Sequence, residues 1–546
     1  YHGECYYNLG LALVMAGRDE EAYDAFYKAT WSYETQGSGY YWLACLSCKR
    51  GEHSAALAFA DQSLIRNWHD MKTRTLKSAI LRILGGGLKD FLSESSRIDP
   101  LDMGIRYESA LSSGNLAEWK HAMREPIHNY LELSLDYIKA GFYDDALNIL
   151  SACTDSSPMA AYYQGYVHAL KGNLRKAAEM YRLGESCDYA YCFPNRTEEI
   201  LILNSSIHLS GSAPRAHYYL GCLLYDKKQN AAAITHWETS ASQDPEFAMA
   251  HRNLAIAYYN KEKDVKKALD SMKKALVLNP QDSRFLLEYD QLCSKAGYPL
   301  NERLALLEEN KRLVTERDAL YIEYITLLNS TGQYGKALEC LTTHRFHPWE
   351  GGEGKVSAQY RYALTQKAVS LLKEKRYDEA ADLLVQSKTY PEGIGEGKLP
   401  NVQETIADYY LGTIYEAAGN KNKAEEYFLK ASAGLSEPGS VLYYNDQPSD
   451  TILYQGLAHE KLGNAAAARK CFHQLLSFGK KHLFDNAGYD YFAVSLPEIE
   501  VFPTAIQDKN TIYCQYLMAL GCLGLGERGK TAEKLKEILL TVPDHQ

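Results

Sequence analysis

A spacing that recurs every 34 residues constrains this chain more than any other feature. The segment CYYNLGLALVMAGRDEEAYDAFYKAT carries Tyr6, Leu9, Gly10, Gly17, Ala22, Phe26 and Ala29. Shifted by 34, the same slots hold Tyr40, Leu43, Ala44, Gly51, Ala56, Ala60 and Ser63. The pattern returns with Tyr130, Leu133, Tyr137, Gly141, Ala146 and Pro158, then with Leu220, Gly221, Ala233, Trp237 and Pro245. Leu254, Ala255 and Tyr258 follow 34 residues later, and the cleanest late copy holds Leu411, Gly412, Tyr415, Gly419, Ala424, Phe428 and Ala431. A large residue, with Leu and a small residue three and four positions on, lies along one face of a helix. The small residue lets a second helix approach. Gly17, Gly51, Gly141, Gly419 and Gly463 stand where the first helix must stop, in a role suited to a left-handed cap. Ala22, Ala56, Ala146, Ala233, Ala424 and Ala468 suit the crossing point of the pair, and Pro158, Pro245 and Pro280 are read as closing second helices. One such pair cannot bury its own apolar stripe, so the pairs must stack on their neighbours.

These spacings resemble the tetratricopeptide repeat. The resemblance implies an all-α solenoid of helical hairpins wound into a right-handed superhelix. At 546 residues the chain exceeds what one growing core sustains, and about twelve pairs are expected, with degenerate copies near 72–128, 285–312 and 512–546. The organisation expected is N-terminal repeats over 1–128, central repeats over 129–343, repeats with long inserted loops over 344–510, and a capping pair over 511–546. The 43 tyrosines suit ring packing between helices with hydroxyls near solvent or the groove. Alternating β-branched runs with Asn-Gly turns are nearly absent.

Charge and cysteine content narrow the function classes. A net charge of −10, with no lysine–arginine block, argues against nucleic acid, whose binders present a basic face. No apolar run is long enough to span a bilayer. The 12 cysteines form no disulfide or zinc framework: Cys45 and Cys48 make one CxxC without a second pair, and Cys187 and Cys192 are spaced differently. Free thiols suit a reducing compartment, so a cytoplasmic location is expected, with no cofactor and no metal. The opening YHGECYYNLG carries no initiator Met or signal-like segment, and is read as the inside of a helix of a longer protein.

Taking the small first-helix residue as a ruler, the step lengthens late in the chain. Ile325 to Ala368 is 43, Ala368 to Gly412 and Gly412 to Gly456 are 44 each, and Gly456 to Ala519 is 63. The surplus falls each time between a second helix and the next first helix, so four inserts should be neighbours along one edge. They read RFHPWEGGEGKV (Arg345 to Val356), YPEGIGEGKLP (Tyr390 to Pro400), EPGSVLYYNDQPSD (Glu437 to Asp450) and KHLFDNAGYDYFAVSLPEIEVF (Lys481 to Phe502). Long loops of such aromatic and charged content are usually functional. Gly-Glu-Gly-Lys occurs in the first two; its glycines admit a ligand close to backbone amides and its Glu and Lys supply both signs of charge. Candidate ligand or partner residues are His347, Trp349, Glu350, Glu353 and Lys355; Glu392, Glu396 and Lys398; Tyr443, Tyr444, Asn445, Asp446 and Gln447; and Asp490 and Tyr491. The competing reading is that Tyr390, Pro391 and Leu399 staple the edge, with Glu353 and Glu396 paired to lysines.

Several chemistries fail on pattern. A phosphate loop would need glycine where Trp349 stands and Ser or Thr where Val356 and Leu399 stand, after a strand. His344, His347, Glu350 and Glu353 would share a face only on a continuous helix, which Pro348 and the glycines forbid. A glycosidase-like pair among Glu350, Glu353, Glu392, Glu396 and Asp446 depends on a separation that spacing does not fix. The Asn-x-Ser/Thr matches at Asn195, Asn204 and Asn329 need a secretory setting. No nucleophile–histidine constellation stands out, so the reading leans away from an enzyme.

The strings FHPWEGGEGKV, GEGKL, YYNDQP and DYFAVSLP, with HYYLGCLLYDKK, HRNLAIAYYNK and ERLALLEE before them, are similar to the C-terminal half of a family of large bacterial proteins. There a β-rich N-terminal domain of unknown function, reminiscent of the sugar-mutarotase fold, precedes a tetratricopeptide array. The resemblance is strongest over 214–502 and implies a non-catalytic scaffold. Its groove and loop-bearing edge would bind a protein segment or the family's N-terminal domain. The alternative it implies is the accessory half of a carbohydrate-active enzyme, with Trp349, Tyr443 and Tyr444 beside Asn445, Asp446 and Gln447 lining a sugar site.

Overall fold

The computed structural model describes residues 2–349, 352–440, 446–489 and 500–542. Among them are thirty α-helices, one π-turn and one 3-10 turn, with no strand. The chain divides into two compact units, Tyr1–Ala250 and His251–Gln546. Within each, a helix packs on the next to make a hairpin and on its second neighbour to stack hairpins: Gly3–Met15 meets both Asp19–Ala29 and Tyr33–Lys49, and Thr405–Ala417 meets both Lys421–Ala431 and Thr451–Lys461.

Three offsets from the small first-helix residue explain why this sequence makes hairpins. Sixteen residues on comes an aromatic ring laid across it: a Cβ at Gly10 would come within 2.6 Å of Phe26, at Gly412 within 2.7 Å of Phe428, and at Gly221 within 2.5 Å of Trp237. Twelve on comes the crossing-point alanine, with Ala22, Ala56, Ala146 and Ala233 fully buried and Ala424 and Ala468 nearly so. Seven on the chain leaves the first helix through left-handed backbone, as at Gly17 (φ 70°) and Gly419 (φ 81°). The seventh position keeps that conformation even without glycine, for Lys228 and Lys375 both sit at φ 63°.

One repeat is a residue out of step. From Ala255 the left-handed residue is Lys263 (φ 59°), eight positions on. The π-turn Tyr258–Glu262 absorbs the extra residue, as single-residue insertions in helices do. The buried Ala268 and Met272 are displaced by the same one position.

Proline and tyrosine depart from the roles assigned above. Pro245 and Pro280 follow the helices Asn230–Gln243 and Val265–Leu278, but Pro158 opens Pro158–Leu170 at its first turn, where its missing N–H costs nothing. Many tyrosine hydroxyls lie inside rather than near solvent. Tyr137 donates to Glu108 at 2.8 Å and Tyr163 to Glu199 at 2.9 Å, with both carboxylates fully buried. Burial raises the Glu108 pKa, an effect that Arg82 only partly offsets.

In the degenerate stretch 285–312 a buried ion pair stands in for the small-residue contact. Arg303 Nε and Nη2 reach the Asp290 carboxylate at 3.0 and 2.8 Å, both residues being almost wholly buried. Leu286, Leu304 and Leu307 pack into the cluster around Ile325 and Leu328. The CxxC pair lies in the core of the first unit, where burial pushes the Cys48 thiol up to about 12 and the Cys45 thiol higher. No helix among the described residues is long and apolar enough to cross a membrane.

Candidate functional site

All four inserts fall between a second helix and the next first helix. They follow Tyr334–Thr343, Tyr377–Gln386, Lys421–Ala431 and Ala465–His482. The first two are joined through their backbones, Phe346 N–H donating to the Gly393 carbonyl at 2.8 Å. Their duplicated tetrads touch as well. Glu396 Oε2 accepts from the Gly354 N–H and the Ser357 hydroxyl, each at 3.0 Å, and so caps the helix Lys355–Lys373. Burial raises its pKa against the pull of these donors.

Several candidates are thereby engaged in the fold. Trp349 packs against the core cluster that includes Tyr360 and Leu364, with its indole over Gly352. Lys398 pairs with Glu404 and donates to the Lys388 carbonyl. His344 and His347 both turn to Asp318: His344 Nε2 lies 2.8 Å from one carboxylate oxygen, and the His347 backbone N–H donates to the other at 2.7 Å. Burial works against the Asp318 carboxylate, but the two histidines hold its pKa below the usual range. Lys355 opens its helix half-buried. The His347 side chain, Glu353 and Glu392 are exposed, and Asp446 and Gln447 are half-buried. Glu350, Tyr443, Tyr444, Asn445, Asp490 and Tyr491 lie outside the described residues.

The described start of the fourth insert lines a pocket with the third, Asp485, Asn486 and Tyr489 standing with Ser440, and its end turns to earlier helices. Its last residues, and Thr504 just after them, reach back to helices some 210 to 240 positions earlier. The Val501 carbonyl accepts from Asn260 Nδ2 at 3.0 Å, the Phe502 ring meets Tyr259 edge-on at 5.3 Å, and Thr504 accepts from Lys295 at 2.6 Å. Phe502 is 2% exposed, so burial of its ring holds this closure within the second unit.

Two concavities lie by the inserts: one of about 740 Å³ against the third and fourth, lined by Ser440, Asp485 and Tyr489, and one of about 370 Å³ against the second. The walls of the smaller cavity are first-helix residues, among them Arg361, Tyr362, Thr365 and Gln366, with Ile406, Ala407, Tyr454 and Tyr516. Tyr390, Lys398, Val402, Gln403 and Glu404 of the segment around the second insert complete it, with Ser387 and Lys388 before them. Lys388 pairs with Glu404 at 3.0 Å and with Asp408. Burial disfavours the Lys388 ammonium, but the two carboxylates hold its pKa above the ordinary value. Asp450 ends the third insert at the cavity wall, and its Oδ1 is buried with no hydrogen-bond partner.

Of the candidates among the described residues, only Lys398 lines this cavity. Arg361, Asp450 and Tyr454 were missed, although for Asp450 and Tyr454 a signal was present. Tyr362, Ile406 and Asp450 each stand six positions before a small first-helix residue (Ala368, Gly412 and Gly456), and Gln366 and Tyr454 two before. On a helix, positions four apart share a face.

Profiles of the tetratricopeptide repeat match residues 131–188 and 211–283, and a further one matches 450–477. Tetratricopeptide repeats are therefore present in both units. Among solved structures, MamA (41-end) from Desulfovibrio magneticus RS-1 is similar at 19% identity, covering 34% of this chain and 91% of its own, with a TM-score of 0.20. The P58(IPK) TPR domain matches at 12% identity over 77% of this chain and 97% of its own, with a TM-score of 0.23. Yeast Tom70 matches at 12% identity over 88% and 97%, also with a TM-score of 0.23.

Proposed function

We propose that this chain is an interaction scaffold whose second unit holds an extended protein segment in its groove. The partner is a separate protein or a further domain of the same polypeptide. Tetratricopeptide repeats support a protein-interaction role in general. The observation that carries the specific reading is the cavity in which the segment around the second insert joins side chains from four successive first helices. Backbone and side-chain groups of a bound strand would meet alternating tyrosine faces and charged groups there, as peptide-binding grooves require. The segment around the second insert completes this wall. A sugar-stacking role for Trp349 has less support, because its indole is packed on the core.

Site-directed photo-crosslinking of the full chain tests this reading. A photoreactive residue at Thr365 or Gln403, in the cavity wall, should capture a discrete partner. The same residue at Val385 or Leu429, exposed on second helices at 50% and 55%, should not. Equal capture at all four positions, or none at any, overturns the reading.

A further inference from the structure

Within the groove cavity Arg361 and Asp450 face the same space and act on each other only through space, with no salt bridge between them. Arg361 projects from the helix Lys355–Lys373 and Asp450 from the N-terminal end of Thr451–Lys461. Arg361 makes no hydrogen bond or ion pair among the described residues, and Asp450 Oδ1 is buried without a partner. The remaining charges of the wall satisfy one another: Lys398 holds Glu404, and Lys388 holds Glu404 and Asp408. One cation and one anion are therefore left over.

An anion alone would meet Asp450, and a cation alone would meet Arg361, so a ligand of either single sign gains one contact and loses the other. A ligand with both signs satisfies both. We propose that this cavity binds a zwitterion, the ammonium and carboxylate of a free α-amino acid or a short peptide, with the ammonium on Asp450 and the carboxylate on Arg361. The guanidinium fork suits bidentate hold of a carboxylate. The buried Oδ1 gains the donor that it lacks, at the kind of buried acceptor that native structures seldom leave unsatisfied. Tyr362, Tyr390, Tyr454 and Tyr516 supply ring faces for the ligand's side chain, and the volume of about 370 Å³ falls in the small-molecule range. Burial raises the Asp450 pKa against the pull of the Thr451 backbone N–H and of Arg361, and an ammonium beside it would favour the carboxylate further.

The test uses the full chain and calorimetric titration with each free amino acid and with the dipeptides Gly-Tyr and Tyr-Gly, which separates the two sources of the ligand. At least one probe should bind saturably. Its N-acetyl form, lacking the ammonium, and its amide, lacking the carboxylate, should each bind about tenfold more weakly or worse. Asp450→Asn and Arg361→Met should do the same without lowering the melting temperature of the empty protein. The capping arms use the unaltered chain, so they decide the matter even if a variant folds poorly. If no probe binds, or if the best probe is indifferent to capping or to both substitutions, the inference is overturned. Amino-acid binding and partner crosslinking are separate readouts, so either can fail while the other stands.

Discussion

Glu396 caps the helix that begins beside the other copy of its own tetrad, its Oε2 taking the N–H of Gly354 and the hydroxyl of Ser357, each at 3.0 Å. The duplicated Gly-Glu-Gly-Lys is thus a structural clasp between the first two inserts. The glutamate that looked like a ligand group is the clasp's acceptor.

Replacing Glu396 by Ala should therefore destabilise the second unit by about 1–2 kcal/mol, the usual loss with a helix cap. Both hydrogen bonds use one oxygen, so Glu396→Gln should keep the clasp. Because burial raises the Glu396 pKa, its contribution is full below the ordinary glutamate value and fades as pH rises through the raised one. The stability of Glu396→Gln relative to the parent should accordingly improve as pH rises from the usual carboxylate range. Urea unfolding across pH checks this, and a pH-independent difference would refute it.

Gly412 lies under the Phe428 ring. Gly412→Ala should cost about 1–3 kcal/mol by overpacking, and Phe428→Leu in the same chain should recover part of that loss. A double-mutant cycle by denaturant unfolding reads the coupling; strict additivity would mean that the two residues do not meet.

Lys375 is an exposed side chain on left-handed backbone at the position that Gly419 and Gly463 occupy in the later repeats. Lys375→Gly relieves the strain of that conformation and should stabilise by about 1 kcal/mol. A lowered melting temperature would show that the lysine side chain matters more than its backbone.

Asp290 and Arg303 form a buried, doubly hydrogen-bonded pair. Asp290→Ala should cost about 3–5 kcal/mol, because it takes the carboxylate from a buried guanidinium, while replacing both residues by apolar ones should cost much less. Thermal unfolding of the single and double variants distinguishes these cases.

Phe502→Ala should cost about 3 kcal/mol or more and free the closure onto Asn260 and Lys295. Limited proteolysis between 483 and 505 should then speed up markedly. An unchanged cleavage rate would mean that the ring does not hold the segment.

What the sequence makes legible is what repeats. Gly412 and Phe428 are readable because the same sixteen-residue spacing recurs from Gly10 to Phe26 onward. The turn at Lys375 hides because lysine replaces the glycine that marks it, and the shift at Lys263 hides because one inserted residue is absorbed in a π-turn. Phe502 with Tyr259 and Arg303 with Asp290 occur once, so no periodicity announces them. At the site, loop composition drew attention to Trp349 and Glu396, whose side chains serve packing and capping. Arg361, Asp450 and Tyr454 stand on or beside regular first helices, where composition is silent; the offset from the small residue points to Asp450 and Tyr454, and nothing points to Arg361.

The central claim is that a protein segment lies in the groove of the second unit, and hydrogen exchange of the full chain with and without a crosslinked partner tests it most directly. Protection should rise over 358–366 and 402–407, which line the cavity, and stay unchanged over the second helices Tyr377–Gln386 and Lys421–Ala431. Protection confined to those second helices, with the cavity wall unaffected, would contradict it.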